Sequence, residues 1–405
     1  MMKKVVVIGG GPAGVICAAE SAKRGNETVL LEKNPDILKK LLITGKGRCN
    51  ITNASEISEF FSNIPVNSSF MYSAFYTFTN DSIIDLIEKE GVKTKTERGN
   101  RVFPVSDKAK DVADALKSYL KKSGAKVKCN SQVVKIEKTD DRFKIYIKNG
   151  DIITADKVAL TSGGMSYPVT GSTGDGYKFA EILGHNIKPI KAGLVPLEIK
   201  EDFCREMTGL SLRNISVELK ENDKSVYNDF GEMMFTPFGV TGPVIISLSS
   251  HLKEEKKNKI IIDLKPALSE KQLDERILRD FKEFSNKDFS NSLNKLLPKS
   301  IISVIIDLSG IEKQKKCHSI TKEERQNLVH LLKNFELTVA GKRPVSEAII
   351  TSGGIDVKEI SPQTMESKIV SGLYFAGEVI DVDAYTGGYN LQIAYSTGYL
   401  AGINI

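Results

Sequence analysis

An α/β fold, its parallel sheet assembled from both ends of the chain around a long insertion, is predicted by three observations. Residues 5–8 form a short unbroken run of β-branched apolar side chains, the mark of a strand buried on both faces. A glycine-rich turn follows at once, then a helical stretch and a second apolar strand over residues 28–31. At the far end of the chain another strand, residues 372–376, runs into a glycine and a last helix. A chain of 405 residues also exceeds the roughly 250–300 residues one hydrophobic core accommodates, so more than one domain is expected.

The elements follow in order. A helix is predicted from about Ala13 to Lys23, with Gly25 as its stop. Residues 81–90 read as a second helix ended by Gly91. Residues 107–122 read as a third, with Ala109, Val112, Ala113, Leu116 and Leu120 on one face and Gly124 at its end. From Lys126 the period changes to two: Phe143, Ile145 and Ile147 alternate, Asn149-Gly150 marks a hairpin turn, and the chain returns as a strand. Residues 157–160 form another apolar strand leading into Thr161-Ser162-Gly163-Gly164. From about Lys191 the texture becomes strand-like segments broken by Gly and Pro. Two amphipathic helices follow, one opened by Ser269 with Gln272 and one by Thr321 with Glu324, each at capping-box spacing. The expected division is a nucleotide-binding domain over 1–190 and 341–405, a β-rich subdomain over 191–265 and a helical subdomain over 266–340.

Composition narrows the class. With 40% hydrophobic and 27% charged residues the chain is an ordinary globular protein. Its net charge of +6 is spread among acids, and the densest runs, 251–259 and 312–325, read as solvated faces. That supports a preference for anionic ligands and no nucleic-acid partner. Cys17, Cys49, Cys129, Cys204 and Cys317 are far apart, with no C-x-x-C pair, which argues against disulfides and a thiolate zinc site and suits a reducing cytoplasm. The four histidines show no metal-ligand spacing, so no metal is assigned. The apolar run after Lys3 and Lys4 is broken by glycines, and no window approaches the ~18 apolar residues of a membrane span. The expectation is a cytoplasmic protein with a small-molecule substrate and no membrane partner; oligomeric state is not legible.

Gly9-Gly10-Gly11-Pro12-Ala13-Gly14 matches G-x-G-x-x-G in the setting that gives the pattern meaning, after a buried strand and opening a helix. Gly9 permits the tight turn, Gly11 lets a pyrophosphate approach the backbone, and Gly14 lets helix and strand pack closely. The helix N-terminus supplies amide donors and a positive dipole end. Glu32, closing the next strand, suits ribose hydroxyls and disfavours a 2′-phosphate. The competing phosphate loop fails, because residues 171–176 are followed by Tyr177 and Lys178 instead of Lys and Ser/Thr; no G-x-S-x-G elbow occurs. The fingerprint fits NAD as well as FAD. A second set of glycines favours FAD: Gly377-Glu378 closes a strand, and Thr386-Gly387-Gly388-Tyr389-Asn390-Leu391-Gln392 opens a helix whose N-terminus suits negative charge on a reduced flavin ring.

These stretches, together with residues 45–53 (Gly-Lys-Gly-Arg-Cys-Asn-Ile-Thr-Asn), Arg101-Val102-Phe103-Pro104, residues 163–176 and residues 351–368, resemble the HI0933-like family of FAD-dependent oxidoreductases, the group that includes BaiN-type reductases. The resemblance implies a Rossmann-like FAD domain interrupted by β-rich and helical subdomains. Carried over by position, Gly9, Gly11, Pro12, Ala13 and Gly14 hold the pyrophosphate, Glu32 the ribose, and Val133 the adenine through its backbone. Arg48, Cys49 and Asn50 lie near the flavin, and Gly377, Glu378, Asn390 and Leu391 near the ribityl chain and ring. Lys33, Gly45, Thr161, Gly163 and Gly388 are further contacts. Pro237 stands where the family commonly has a histidine after Phe-Thr, so no proton-transfer role is carried to that position.

A flavin performs the hydride chemistry, leaving the protein to position substrate and tune the ring. Cys49 beside Arg48 is a candidate thiolate, weighed against a packed, unreactive cysteine; Tyr167 and Tyr385 are candidate proton donors, weighed against aromatic packing. The leading expectation is a reductase in which NAD(P)H, a transient co-substrate, passes hydride through flavin N5 to an activated double bond, the resemblance extending to steroid-like acids. The alternatives are an oxidase of a small amine using oxygen and, more distantly, a flavin-stabilised nucleic-acid-binding or tRNA-modifying protein.

Overall fold

The computed structural model describes residues 2–253 and 255–405. They form two compact units, the first made from 1–193 and 345–405, the second from 194–344.

The first unit is built on a parallel sheet in the order Leu373–Phe375, Lys157–Leu160, Lys4–Ile8, Glu27–Leu31, Lys126–Lys128. Val5, Val6 and Val7 at its centre are fully buried, each contributing roughly 1.5–3 kcal/mol relative to exposure. Two helices pack together against it. The first, Pro12–Lys23, begins with Pro at its first position, where the missing N–H is not needed. The last, Tyr389–Asn404, lies against it so closely that a Cβ on Gly398 would sit 2.4 Å from the Ala13 carbonyl oxygen, and one on Gly402 2.6 Å from that of Cys17. The antiparallel layer Val133–Lys138, Phe143–Ile147 and Ile152–Ala155 turns at Asn149-Gly150 as the alternation predicts. A small sheet joins Thr52–Asn53, Arg101–Pro104 and Thr94–Glu97, and Ile187–Gly193 pairs with Ile350–Ile355.

The second unit is a closed six-stranded barrel with helices Glu270–Glu283, Lys299–Ser309 and Lys322–Lys333. Both predicted capping boxes, at Ser269 and Thr321, are formed. The β-rich and helical segments share one core, because the strand Phe335–Lys342 returns after the helices and pairs with Asn258–Asp263 to close the barrel. Among the described residues, no helix is long and apolar enough to cross a membrane.

Candidate cofactor site

The glycine turn between the first strand and the first helix is held in a shape only glycine allows. Gly9 has φ +109°, and a Cβ there would meet the Thr161 carbonyl oxygen at 2.6 Å; a Cβ on Gly14 would meet the Gly9 carbonyl oxygen at 2.0 Å. The Thr161 hydroxyl serves this turn, lying 3.0 Å from the carbonyl oxygen of Ile8 and 2.9 Å from that of Gly9. Gly11 is different. It is extended (φ −77°, ψ −179°), and a Cβ there would have no atom within 4 Å. Open space above Gly11 meets a helix whose N-terminus has no side-chain cap, so its first-turn amides are available to an anion.

Glu32 closes this end. One carboxylate oxygen accepts the Gly10 N–H at 2.8 Å, and the other accepts the backbone and side-chain N–H groups of Asn34, each at 2.8 Å. A carboxylate offers about four acceptor positions, which leaves one for a ribose hydroxyl. The Ser131 N–H donates to the Glu32 carbonyl oxygen at 2.8 Å, bringing the start of the Val133 strand to the same edge. Lys33 turns away to pair with Asp175 at 2.8 Å.

The second end is built where the last helix begins. Gly388 has φ +103°, and a Cβ there would strike the Thr52 backbone at 2.4 Å. The Asn53 side-chain amide donates to the carbonyl oxygens of Gly387 and Gly99, and the Thr52 hydroxyl lies 2.7 Å from the Gln392 side-chain oxygen. The Asn390 side chain clamps the backbone of Ala384 from both sides, at 2.9 and 2.7 Å, and Leu391 packs on the core. No side chain caps this helix either. The stretch 44–49 is strained: Lys46, between Gly45 and Gly47, and Cys49 hold left-handed backbone at φ +58° and +61°, and both glycines lie in the same region. The Asn50 Oδ1 and Ser162 Oγ atoms are buried without a partner.

Of the two readings of Cys49, burial favours the packed, protonated thiol. Its side chain is fully buried, and burial pushes the thiol up to about 12, with a hydrogen bond from Thr44 only partly offsetting this. Arg48 is committed elsewhere: its guanidinium pairs with Glu97 and Asp107 and lies 4.1 Å from the centre of the Phe103 ring. Glu378, read from the resemblance as lying near the ribityl chain and ring, is engaged by three protein groups. It pairs with Lys40 at 2.6 Å and accepts the Thr351 N–H at 2.9 Å and the Ser166 hydroxyl at 2.8 Å. Burial alone would raise its carboxyl; Lys40 and these donors outweigh burial and hold it below the usual range. Gly377 abuts Ala13, and Gly163 faces Ser172. Tyr167 sits in left-handed backbone with its carbonyl oxygen taken by Thr170, and the Tyr385 N–H donates to the Asn63 carbonyl oxygen at 2.9 Å. Lys40 had no signal in the sequence, whereas Thr52, Ser166 and Thr351 stand in the stretches that carry the resemblance without any local sign of their partners. Asn53 stood in the quoted 45–53 stretch, yet its tie to Gly387 had no local signal. Pro237 lies exposed at a turn beside Thr236, whose buried hydroxyl has no partner. His185 is a packing residue, buried 2.7 Å from the Ser367 hydroxyl. Among the described residues there is no cluster able to hold a metal ion.

A family model described as the HI0933-like protein Rossmann domain matches residues 3–404. The chain is 32% identical over 99% of its length to a Haemophilus influenzae protein named ribosomal RNA dihydrouridine synthase, covering 98% of it. It is 29% identical over 99% of its length to a Clostridium scindens 3-dehydro-bile acid delta(4,6)-reductase, again covering 98%. Among solved structures it resembles a flavocytochrome c3 fumarate reductase (TM-score 0.52, 16% identity, all of this chain and 78% of that one). It also resembles the Rhodococcus jostii 3-ketosteroid-delta4-(5alpha)-dehydrogenase (TM-score 0.51, 13% identity, all of this chain and 96% of that one). At these identities the two structures speak to fold alone.

Proposed function

The chain belongs to the HI0933-like family and is an FAD-dependent oxidoreductase, and from that premise we propose that it is a reductase of carbon–carbon double bonds conjugated to a carbonyl, with NAD(P)H as a visiting reductant. One observation carries the reading: the Haemophilus influenzae and Clostridium scindens relatives, both matched over their full length, are named for one kind of reduction. Dihydrouridine is uridine with a ring double bond beside a carbonyl saturated, and a delta(4,6) bond of a 3-dehydro-bile acid is likewise conjugated to a ketone.

The residues fit FAD. The open space over Gly11 and the uncapped first helix would take the pyrophosphate, Glu32 the adenosine ribose, and the Val133 backbone the adenine. The uncapped last helix and the orphaned Asn50 Oδ1 would face the flavin end. When bound, FAD supplies a ring that accepts hydride from one partner and yields it to another. The chain's own work is to hold and shield. The clamps of Asn53 and Asn390 fix the loop before the last helix, whose positive dipole end favours a negatively charged partner. Burial, with the nearby Asp383 carboxylate, raises the Tyr385 phenol above its ordinary value.

The test is anaerobic titration of the flavin absorbance with NADH, NADPH and a panel of small amines. Bleaching by a nicotinamide supports the reductase; bleaching by an amine alone overturns it in favour of an oxidase. A second reading, that the acceptor is a uracil in RNA, is favoured by the Haemophilus influenzae relative.

A further inference from the structure

We propose that residues 165–175 form a strap latched across the crevice that holds FAD, and that the strap opens, with the Lys33–Asp175 ion pair as its latch, to admit and release the cofactor. The proposal goes beyond the reductase reading and does not depend on it.

The sheet topology puts the strap in place. The central strand, Lys4–Ile8, lies between Lys157–Leu160 and Glu27–Leu31. The glycine turn leaves its carboxyl end, and the segments that leave its two neighbours both touch that turn. From one side, a Cβ on Gly9 would meet the Thr161 carbonyl oxygen at 2.6 Å and the Ser162 Cα at 2.7 Å. From the other, the Leu38 N–H donates to the Gly10 carbonyl oxygen at 2.8 Å, and a Cβ on Gly10 would meet the Ile37 side chain at 2.6 Å. These two segments, 161–175 and 32–40, then join each other. Joined, they bridge the carboxyl end of the central strand, the crevice in which sheets of this kind bind nucleotides.

Each join has named partners. Lys40 donates to the Ser166 hydroxyl at 2.5 Å. The Asn34 side-chain amide donates to the Thr170 carbonyl oxygen at 3.0 Å, and a Cβ on Gly171 would lie 2.4 Å from that amide. The Lys33 ammonium donates to the Thr173 hydroxyl at 2.5 Å and to the Asp175 carboxylate at 2.8 Å, and the Thr173 hydroxyl donates to the same carboxylate at 2.9 Å. Burial alone would raise the Asp175 carboxyl; Lys33 and Thr173 outweigh it and hold it below its usual range, so the latch is charged at neutral pH. Asn34 also donates to Glu32, which couples the strap to the carboxylate that would hold the ribose. The crest of the strap is lightly held. Val169 there is 82% exposed, in a short turn between left-handed backbone at Tyr167 (φ +50°) and Gly171 (φ +109°). Surface segments of this kind open at lower free energy than the core they cover.

The test is the rate at which FAD leaves the loaded protein, followed by flavin fluorescence after high dilution. Lys33→Met and Asp175→Asn should each speed release about fivefold to tenfold, the worth of one partly buried charged hydrogen bond. Lys33→Met/Asp175→Asn should be no faster than the faster single variant, because either change opens the same latch. Raising the salt concentration should speed release from wild type and leave the double variant unchanged. Asp175 also begins a helix, so Thr173→Val, which removes the bridging hydroxyl and keeps both charges, should speed release as an independent opening of the latch. Melting temperatures of the apoproteins establish that each variant folds. Release sped by Lys33→Met and not by Asp175→Asn would place Lys33 on the cofactor itself and overturn the latch. Unchanged rates, or single effects that multiply in the double variant, would overturn it as well.

Discussion

Single residues decide whether the cofactor cradle forms and whether it can be filled, and Gly11 and Gly14 separate the two. A valine at Gly11 meets no atom within 4 Å and sits in backbone any residue adopts, so Gly11→Val should fold and lose FAD, read as a colourless protein with an ordinary melting curve. Gly14→Ala drives a Cβ to 2.0 Å from the Gly9 carbonyl oxygen and should fail at the level of the fold, read as aggregation or a strongly lowered melting temperature. Cys49→Ser should keep FAD and change flavin reduction by less than about tenfold, a barrier change of ~1.4 kcal/mol, because the thiol is buried and protonated. A hundredfold loss in stopped-flow reduction with FAD retained would make the thiol catalytic. His185 gives a pH signature. Burial lowers its pKa from 6.5, so the neutral ring's contribution to stability is complete above that value and is lost as pH falls through the lowered one. The melting temperature should fall below about pH 6.5, and His185→Gln should flatten that part of the profile.

Whole elements are pinned by contacts that sequence spacing hides. The loops carrying Lys40, Ser166 and Glu378 meet in one ion pair and its hydrogen bonds, though Lys40 stands 126 and 338 residues from its partners. Glu378→Gln leaves the Lys40 charge largely buried and should cost about 2–4 kcal/mol in denaturant unfolding; Lys40→Met/Glu378→Gln should recover part of it. The same pair shows why the site was only half legible. Gly9–Gly14 and Glu32 lie within one βαβ unit, where local pattern states the geometry. Asn53 on Gly387 and Glu378 on Lys40 are tertiary facts with no local signal. Helices show the same division. Those with capping boxes at Ser269 and Thr321 were readable, whereas Lys299–Ser309 was not. Its β-branched run at Ile301, Ile302, Val304, Ile305 and Ile306 has the texture of a strand, and it is preceded by Pro298 instead of a polar cap.

At the scale of the whole molecule, the chain splits one α/β unit between its two ends and spends its middle on a barrel with a separate core. Strands from both ends pair in one parallel sheet, Lys157–Leu160 against Leu373–Phe375. That sheet places the uncapped starts of the first and last helices in the same unit, the arrangement a long dinucleotide requires. In the proposed reductase, electrons stored in that unit go to a conjugated double bond. This transfer is tested most directly by double-mixing stopped flow: the enzyme is reduced anaerobically, then mixed with conjugated enones, isolated alkenes or uridine-containing RNA, and the product is weighed by mass spectrometry. A reductase of this kind should have its flavin reoxidised by a conjugated acceptor that gains two hydrogens, and not by the isolated alkene. Reoxidation by oxygen alone, with every conjugated acceptor recovered unchanged, would contradict it.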